Sequence, residues 1–285
     1  MSEEPVLDCA GHPLPLERPV VMGVLNVTPD SFSDGGRHAG MESALAHARG
    51  MVASGAGIID VGGESTRPGA GPVPLQEELD RVIPVLERLR RELDVVLSID
   101  TSKPAVMQAA LDAGAGMIND VNGLRAPGAM EVVASGTAAV CVMHMQGQPR
   151  SMQERPHYAD VVAEVADFLV GQAQALVSGG VARERIVLDP GFGFGKALEH
   201  NLALFRSLPA LAALGYPLLV GVSRKSMIGA LLGGRPVTER LAGSVTAAVL
   251  AARAGARILR VHDVRETVDA LMIQHALEPK QQGEV

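Results

Sequence analysis

Short apolar runs recur along this chain, and nearly every run stops at a polar residue of a kind that binds ligands. The residues that end the runs are, in chain order, Asn26, Asp60, Asp100, Asn119 with Asp120, His144, Asp189, Ser223 with Arg224 and Lys225, and Arg260 with His262. Roughly eight strand-like runs alternate with helix-length segments, which is typical of a (β/α)8 barrel. Because the carboxyl ends of barrel strands meet at one face, this pattern indicates where the functional residues lie.

An open, doubly wound sheet is the alternative architecture for alternating strands and helices. Such a sheet would gather its ligand-binding residues at one switch point, whereas here they follow every run, so we favour the barrel. The chain has 285 residues, and one barrel typically needs about 250. We expect a lead-in over residues 1–19 with a short strand near Val6 and Leu7, a single α/β barrel domain over residues 20–278, and a tail over residues 279–285.

Apolar residues at helical spacing predict the segments that connect the strands. The predicted helices cover residues 75–93, 103–113, 158–177, 237–254 and 265–276. Two long glycine-rich connections, residues 28–40 and 62–74, follow the first and second strands. Connections of about 12 residues without their own structure are usually functional lids or disordered, and we interpret these two as lids over the site.

Charge and cysteine content exclude several classes of function. The formal net charge is −7, whereas general nucleic-acid binding relies on a basic face. Two cysteines, Cys9 and Cys141, form no CxxC pair and no disulfide framework. We find no secretory signal, and no apolar stretch that approaches the roughly 18 residues needed to span a membrane. We therefore expect a cytoplasmic protein with neither nucleic acid nor membrane as a partner.

The segment GFGFGK, residues 191–196, invites a phosphate-loop interpretation that its flanks contradict. Pro190 stands where a Walker A loop needs glycine, and Ala197 stands where it needs Ser or Thr. We interpret the glycines instead as allowing the backbone to approach a flat ligand. Three of the five phenylalanines, Phe32, Phe192 and Phe194, lie in glycine-rich loops after strands, which favours stacking against a planar ligand.

Two chemically distinct groups of strand-end residues point to a heteroaromatic, anionic ligand. Asp100, Asn119 and Asp189 suit the paired N–H donors of a nitrogen-rich ring. Ser102 is a natural N-cap for the next helix, which leaves the Asp100 side chain for the ligand. The second group suits a phosphate or diphosphate and consists of Lys225, Arg260 and His262, with Asn26 nearby. Paired metal histidines are missing, which disfavours zinc, while magnesium bound with help from a substrate phosphate stays open.

Eight segments resemble the dihydropteroate synthase family in order and spacing, from about Val20 to the last helix. They are MGVLNVTPDSFSDGG (22–36), IIDVGGESTRPGA (58–70), SIDTSKP (98–104), INDVNG (118–123), MHMQGQPRSMQ (143–153), DPGFGFGK (189–196), SRKSMIG (223–229) and RVHDV (260–264). Small departures occur at Gln148 and Ala197, where the family pattern usually has Thr. Neither position is one that we would assign to a substrate.

The resemblance implies a transferase of folate biosynthesis that joins (7,8-dihydropterin-6-yl)methyl diphosphate to 4-aminobenzoate and releases diphosphate. It implies Mg2+ as cofactor and, because family members usually form them, a homodimer. Carried over residue by residue, the pterin site would be Asp100, Asn119, Asp189 and Lys225, with Met143 and Phe194 along its faces. The diphosphate site would be Asn26, Arg67, Arg260 and His262, with Asn26 also a magnesium ligand. The aminobenzoate site would be Thr66, Pro68, Ser223 and Lys225, with Phe32 closing over it.

The expected catalysis is electrostatic, because no Ser–His or Cys–His pair is placed for nucleophilic attack. We predict that Arg260 and His262 stabilise the departing diphosphate, with Lys225 and Asp100 as the other catalytic residues. Three alternatives stay open: a corrinoid-linked pterin methyltransferase domain, a catalytically silent pterin-binding paralogue, and an unrelated barrel hydrolase. The loops after the first two strands argue against the first, intact Arg67, Lys225, Arg260 and His262 against the second, and the missing metal histidines against the third.

Overall fold

Eight parallel strands form a closed barrel in the computed structural model, which describes residues 6–27, 36–65, 71–148 and 151–278. A short antiparallel hairpin of β1 (Val6–Cys9) and β2 (His12–Pro15) precedes the barrel. The barrel strands are β3 (Val20–Asn26), β4 (Ile58–Gly62), β5 (Val96–Asp100), β6 (Met117–Asp120), β7 (Ala139–Met143), β8 (Ile186–Asp189), β9 (Leu218–Val220) and β10 (Ala256–Val261). They pair in chain order, and β10 pairs with β3 to close the barrel. The predicted (β/α)8 barrel is confirmed, and the open sheet is excluded.

Helices connect the strands and cover the outside of the barrel. They are α1 (Gly36–Ala53), α2 (Leu75–Glu92), α3 (Pro104–Asp112), α4 (Ala129–Ser135), α5 (Val161–Ser178), α6 (Leu198–Arg206), α7 (Leu208–Ala212), α8 (Ser226–Leu231), α9 (Leu241–Arg253) and α10 (Val264–Leu277). The single helix predicted over residues 237–254 is wrong, because Val237–Glu239 forms a separate 3-10 turn before α9. On α2, the predicted apolar face is the buried one, with Val82, Leu86 and Leu89 fully covered.

The core is divided by the strands into an outer layer under the helices and an inner cluster at the amino-terminal end of the barrel. Strands β4, β5 and β7 are buried at every position, as expected when helices cover one face and barrel packing the other. The hairpin contributes to the inner cluster, since Leu7 and Leu16 are fully buried among residues such as Ile58 and Cys141. The segment before β3 therefore closes this end of the barrel, opposite the strand ends that carry the polar residues.

Helix α5 is, within the described ranges, long and apolar enough to cross a membrane by length and composition alone. The expectation that no stretch of such length exists was therefore wrong. Its buried residues Val161, Val165, Leu169, Ala173 and Leu176 recur at helical spacing, and the helix contacts β7, β8 and α6. A packed face of this kind accounts for the apolar composition of α5.

Candidate active site

Arg260, near the end of β10, lies between two carboxylates at the mouth of the barrel. Its Nε donates to Asp60 Oδ2 over 2.6 Å, and its Nη2 donates to Asp100 Oδ2 over 2.6 Å. The three residues come from β10, β4 and β5, which lie close together because β10 and β4 both flank β3. Burial lowers the pKa of Arg260, but the charges of Asp60 and Asp100 outweigh burial and raise it, so the guanidinium stays charged.

Asp60 is the centre of a buried hydrogen-bond network. Its Oδ1 accepts from Ser98 Oγ over 2.6 Å, and its Oδ2 accepts from Asn119 Nδ2 over 3.0 Å as well as from Arg260. Ser98 is the register partner of Asp60 on β5. The network fixes the side chains of Asn119 and Arg260, both of which the sequence predicts to bind substrate.

Asp100 keeps one carboxylate oxygen for a partner other than protein. Its Oδ1 is buried and, across the described ranges, is the one buried side-chain oxygen or nitrogen without a hydrogen bond. Burial raises the pKa of Asp100 to about 7, against the opposing attraction of Arg260. A buried acceptor without a partner costs free energy, and such atoms mark positions where a ligand or water binds.

The predicted helix cap near Asp100 is wrong in detail. Helix α3 begins after Lys103, and the side chain of Lys103 forms no capping bond. Ser102 donates instead to Asp120, whose carboxylate also accepts from the backbone N–H groups of Asn122 and Leu124. Asp120 therefore holds the loop after β6, in keeping with its interpretation as a supporting residue.

Asp189 ends β8, and Lys225 lies in the loop after the neighbouring strand β9, where the two charges attract each other. Asp189 Oδ1 accepts from Gly191 N over 2.7 Å, and burial raises its pKa while Lys225 opposes the rise. Lys225 Nζ donates to the carbonyl of Phe192 and lies 4.6 Å from the centroid of the Phe194 ring. Burial lowers the pKa of Lys225 to about 8, although Asp189 attracts its charge.

Phe194 and Met143 lie together, whereas Phe192 departs from its prediction. Phe194 packs against a cluster that contains Met143, Met145 and Met152, which suits the predicted role of Phe194 and Met143 along a flat ligand. Phe192 is fully buried and packs edge-on against Phe205 of α6, with ring centroids 5.9 Å apart. Its assignment to stacking on a ligand was therefore wrong, because the glycine-rich loop turns this ring into the core.

The glycines of residues 191–196 serve contacts within the protein. Gly191 and Gly195 have φ of +69° and +61°. A Cβ atom at Gly191 would lie 1.9 Å from the carbonyl oxygen of His144, and one at Gly195 would lie 2.3 Å from that of Gln146. Gly191 and Gly195 let the loop after β8 pack against the loop after β7, while at Gly193 a Cβ atom would meet only Lys225 Cδ at 3.4 Å, so an approach of this loop to a flat ligand stays a prediction.

Ser223 and His262 meet at the ends of β9 and β10. The His262 backbone N–H donates to Ser223 Oγ over 3.2 Å, and its ring Nδ1 lies 3.1 Å from the same oxygen. The following residues form a second link, since Arg224 pairs with Asp263 through two nitrogens. These bonds hold Ser223, His262 and the start of the Lys225 loop in one arrangement.

Asn26 is the last residue of β3, at the same end of the barrel as the other predicted site residues. A Cβ atom added to Gly62 would lie 3.7 Å from Asn26 Oδ1 and 3.6 Å from Asp100 Cβ, so Gly62 leaves space between the two side chains. Four predicted site residues lie outside the described residues: Phe32, Thr66, Arg67 and Pro68. The remaining predicted residues all lie at the carboxyl ends of the strands or in the loops that follow them.

Sequence reasoning passed over Lys196, which joins the loops after β7 and β8. Its Nζ lies 3.0 Å from His144 Nδ1 and from the carbonyl oxygen of Gly191. His144, which ends the apolar run of β7, is thus a hydrogen-bonding residue. The signal in the sequence is the position of Lys196, which ends the glycine-rich loop just before α6. A positive charge at the start of a helix does not stabilise the helix, so the lysine there has another role.

The donor set fits magnesium better than a metal that needs several protein ligands. No group of three or more His, Cys, Asp or Glu side chains suited to a metal occurs within residues 6–27, 36–65, 71–148 and 151–278. Magnesium commonly keeps several waters and takes one or two protein oxygens together with substrate phosphates. The amide oxygen of Asn26, beside the space left by Gly62, meets that requirement.

The barrel mouth holds one arginine between two aspartates, a lysine near a third aspartate, and an apolar surface of Met and Phe side chains. These groups suit an enzyme whose substrate is a polar ring that carries an anion. The family model described as pterin binding enzyme matches residues 22–262. Dihydropteroate synthase of Escherichia coli strain K12 is 53% identical over 266 residues, which cover 93% of this chain and 94% of that protein.

Solved structures agree in fold and sequence. Dihydropteroate synthase of Xanthomonas albilineans with 4-aminobenzoic acid is 54% identical, with a TM-score of 0.91 and coverage of 97% of this chain and 100% of that one. The Burkholderia cenocepacia enzyme complexed with 7,8-dihydropteroate is 54% identical, with a TM-score of 0.88 and coverage of 96% of each chain. This chain belongs to the pterin-binding enzymes and, within them, to the dihydropteroate synthase family.

Proposed function

We propose that this chain condenses (7,8-dihydropterin-6-yl)methyl diphosphate with 4-aminobenzoate to give 7,8-dihydropteroate and diphosphate. The observation that carries the proposal is the buried Asp100 Oδ1, which has no hydrogen bond within the described ranges and lies beside Arg260 at the barrel mouth. The relatives with bound 4-aminobenzoic acid and 7,8-dihydropteroate support the same substrate and product here.

The pterin ring binds among Asp100, Asn119, Asp189 and Lys225. Its N–H groups donate to the carboxylates, and its carbonyl oxygen accepts from an ammonium or an amide, so donors and acceptors match along one edge. Asn119 is oriented for this by its bond to Asp60, and Asp189 by its bond from Gly191 N. Met143 and Phe194 supply the apolar surfaces along the ring.

The diphosphate binds to the positive groups on the β10 side of the mouth. Arg260 donates through Nε and Nη2 to carboxylates, and a guanidinium has five N–H groups, so three donors remain for an anion. His262 and Asn26 adjoin this position, and Arg67 is predicted to join them. The two carboxylates fix the plane of the guanidinium before substrate arrives, which lowers the cost of ordering it on binding.

We expect Mg2+ to be held by Asn26 together with diphosphate oxygens and waters. When bound, the ion supplies positive charge that neutralises part of the charge on the leaving group. The protein contributes the amide oxygen of Asn26 and the space beside Gly62, which also adjoins Asp100 Oδ2, the oxygen that accepts from Arg260.

The reaction breaks the bond between the pterin methylene carbon and a diphosphate oxygen and forms a bond to the aminobenzoate nitrogen. The bonding pair leaves with the diphosphate, where Arg260 and His262 stabilise it. The nitrogen lone pair forms the new bond, and the resulting ammonium releases a proton to water without a dedicated base. Asp100 and Asp189 stabilise positive charge that develops on the pterin side, so we expect departure of diphosphate to run ahead of attack.

Aminobenzoate binds at the outer rim of the same mouth. Ser223 and Lys225 supply donors for its carboxylate, while Thr66, Pro68 and Phe32 are expected from the resemblance to line its ring. The bond between His262 N and Ser223 Oγ holds the serine in position for this role.

We also propose that the chain forms a homodimer through α9 and α10. These helices contact each other and expose apolar side chains that include Met272 at 66%, Ile273 at 62% and Leu250 at 48%. Exposed apolar groups that lie together are typical of interaction surfaces. Light scattering should give the mass of two chains, and Ile273→Glu should give the mass of one chain if this surface mediates assembly.

A cytoplasmic location stays a prediction. Its support is that Cys9 and Cys141 are both buried with free thiols, as expected where disulfides do not form.

The test of the proposed function is turnover by the purified chain. With pterin diphosphate, Mg2+ and 4-aminobenzoate, it should form dihydropteroate and diphosphate in equal amounts. Binding of pterin diphosphate without product would favour the catalytically silent paralogue, and absence of binding to either substrate would contradict the proposal. Omission of Mg2+ should lower the rate if the proposed magnesium role is right.

A further inference from the structure

Lys196 is a buried lysine whose ammonium has several acceptors around it and no carboxylate in contact within the described ranges. It is 2% exposed. Its Nζ lies 3.0 Å from Gly191 O, 3.1 Å from Phe194 O, 3.2 Å from His144 O and 3.0 Å from His144 Nδ1. A lysine is rarely buried in this way, because removal of a charge from water is costly unless its donors are all paired.

The three carbonyl groups belong to the loops after two neighbouring strands, β7 and β8, which carry the apolar residues of the proposed pterin site. His144 directly follows Met143 at the end of β7. Gly191 and Phe194 flank Phe192, whose carbonyl accepts from Lys225. One ammonium group therefore sets how far the loop that carries the Phe194 ring lies from the end of β7, where Met143 belongs to the cluster against which that ring packs.

The loop contacts are close enough for this separation to matter. The Gly191 backbone approaches the carbonyl of His144 so tightly that any Cβ atom there would clash. Gly191 N also donates to Asp189 Oδ1 over 2.7 Å, so a shift of this backbone moves the Asp189 carboxylate with it. The Gly191 backbone thus positions both the loop that carries the Phe194 ring and the carboxylate of Asp189.

The bond between Lys196 and His144 also fixes a tautomer. Burial lowers the pKa of Lys196 to about 7, and in its charged form the ammonium only donates, so His144 Nδ1 then accepts and the proton of the neutral ring lies on Nε2. Burial lowers the pKa of His144 to about 3, with further lowering by the charge of Lys196. The ring packs edge-on against Phe168, with centroids 5.1 Å apart, which holds it in this orientation.

We infer that Lys196 is a positioning residue for the pterin substrate: by joining the carbonyls of His144, Gly191 and Phe194, it holds the loop that carries Phe194 and supports Asp189 in place against the end of β7. The inference rests on the proposed function and assigns a role outside the residues that touch substrate. Loss of the ammonium lets the two loops separate, so Phe194 and Asp189 fit the pterin ring less well. Ser223 lies in the loop after β9 and is held by His262, so the aminobenzoate site, which shares only the Lys225 contact to Phe192 O, should change little.

The test compares the affinity for pterin diphosphate with the KM for aminobenzoate. Calorimetry with pterin diphosphate alone should give a Kd about tenfold weaker or more for Lys196→Met than for the unaltered protein, because the loop that positions Phe194 and Asp189 must then be ordered at the expense of binding. The KM for aminobenzoate, at saturating pterin diphosphate, should stay within about twofold. Equal losses for both substrates, or an unchanged Kd for the pterin, would overturn the inference.

Tyr158→Phe is the matched control in the same loop. The Tyr158 hydroxyl donates to Gly195 O over 2.9 Å, so the variant removes one bond to this loop while it leaves the contacts of Lys196 in place. We expect its Kd for pterin diphosphate to stay within about twofold. If Tyr158→Phe weakens binding as much as Lys196→Met, general loosening of the loop explains both and the inference is wrong.

Two further measurements keep the inference testable if Lys196→Met does not fold. Lys196→Gln retains two donors and should give an intermediate loss of pterin affinity. Nitrogen-15 spectra of the unaltered protein should show a neutral His144 with its proton on Nε2, and the opposite tautomer would contradict the bond. The unaltered protein must first bind pterin diphosphate: if it does not, the proposed function fails, whereas binding that is insensitive to Lys196 removes this inference alone.

Discussion

Arg260 Nη2 donates to Asp100 Oδ2 over 2.6 Å, which leaves Asp100 Oδ1 as a buried acceptor that no group in the described ranges uses. The same guanidinium holds Asp60, so one cation is bound to two carboxylates before any substrate arrives. The burial of Asp100 Oδ1 without a hydrogen bond costs free energy, and a ligand that donates to this atom removes that cost.

Asp100→Asn should stabilise the protein at neutral pH more than at acidic pH. Burial raises the pKa of Asp100 from 3.8 to about 7, so the folded protein binds a proton at Asp100 more tightly than the unfolded chain does. The resulting stabilisation of the folded protein is fully present below about pH 4 and is lost as the pH rises through 7. The free energy of unfolding of the variant, relative to that of the unaltered protein, should therefore increase by about 2 kcal/mol from pH 5 to pH 8. Urea unfolding at both pH values measures it.

The exposed Asp94 offers the control for this experiment. Asp94→Asn removes the same charge at a position outside the site, and its difference from the unaltered protein should be the same at pH 5 and pH 8. A difference for Asp100→Asn that does not change with pH would contradict the account of its burial.

Arg260→Lys should lower kcat by about 100-fold while the KM for aminobenzoate stays within twofold. An ammonium group retains the charge but cannot bond two carboxylates and a diphosphate in one plane, and removal of one donor to a developing anion costs about 100- to 1,000-fold. Steady-state kinetics with saturating pterin diphosphate measure both constants. Lysine is a better choice than alanine, which would leave two buried carboxylates uncompensated.

Arg257→Lys is the control on the same strand, because Arg257 donates to the backbone carbonyl of Glu17 at the other end of the barrel. Its kcat should be unchanged. If Arg260→Lys kept kcat and altered only the KM for aminobenzoate, Arg260 would have no part in the departure of diphosphate.

Affinity for pterin diphosphate should weaken above pH 8. Burial lowers the pKa of Lys225 to about 8, so the ammonium that faces Asp189 loses its proton above that value. At pH 9 about one molecule in ten keeps the charge, which predicts a Kd about tenfold weaker than at pH 7. Calorimetry from pH 7 to pH 9 checks this, and Lys225→Arg should abolish the alkaline loss. An identical loss in that variant would assign the titration to another group.

Gly191→Ala and Gly193→Ala should differ in their effect on stability although both glycines have positive φ. Gly191 has φ of +69° and no room for a Cβ atom, which would lie 1.9 Å from His144 O. At Gly193, with φ of +79°, the nearest atom would be Lys225 Cδ at 3.4 Å. We expect a loss of about 3 kcal/mol or more for Gly191→Ala and about 1 kcal/mol for Gly193→Ala. Equal Tm values for the two variants would refute the tight packing of these loops.

The fold followed from the sequence because the apolar runs and their polar ends are local patterns. Asp100, Asn119 and Asp189 each follow directly from the run before them, and the barrel brings their strand ends to one face. The residue types predicted which strand-end residues would bind a ring and which would bind an anion. The identity of the substrate came from the resemblance alone, since many ligands would suit the same charges.

The errors lie where a side chain's direction depends on residues far along the chain. Asp60 and Arg260 are 200 residues apart, and nothing local to either residue shows that barrel closure places them 2.6 Å apart. Phe192 seemed exposed because glycines flank it, yet the loop directs its ring to Phe205. The position of Lys196 before α6 indicates only that the helix does not need its charge, and the acceptors that bury it come from two different loops.

The most direct measurement is a crystal structure of this chain with a 7,8-dihydropterin bound. We predict that a ring N–H donates to Asp100 Oδ1 at hydrogen-bond distance, with the ring against Met143 and Phe194 and near Lys225. A pterin that binds outside the barrel mouth, or one that lies in it while Asp100 Oδ1 stays without a partner, would contradict the account.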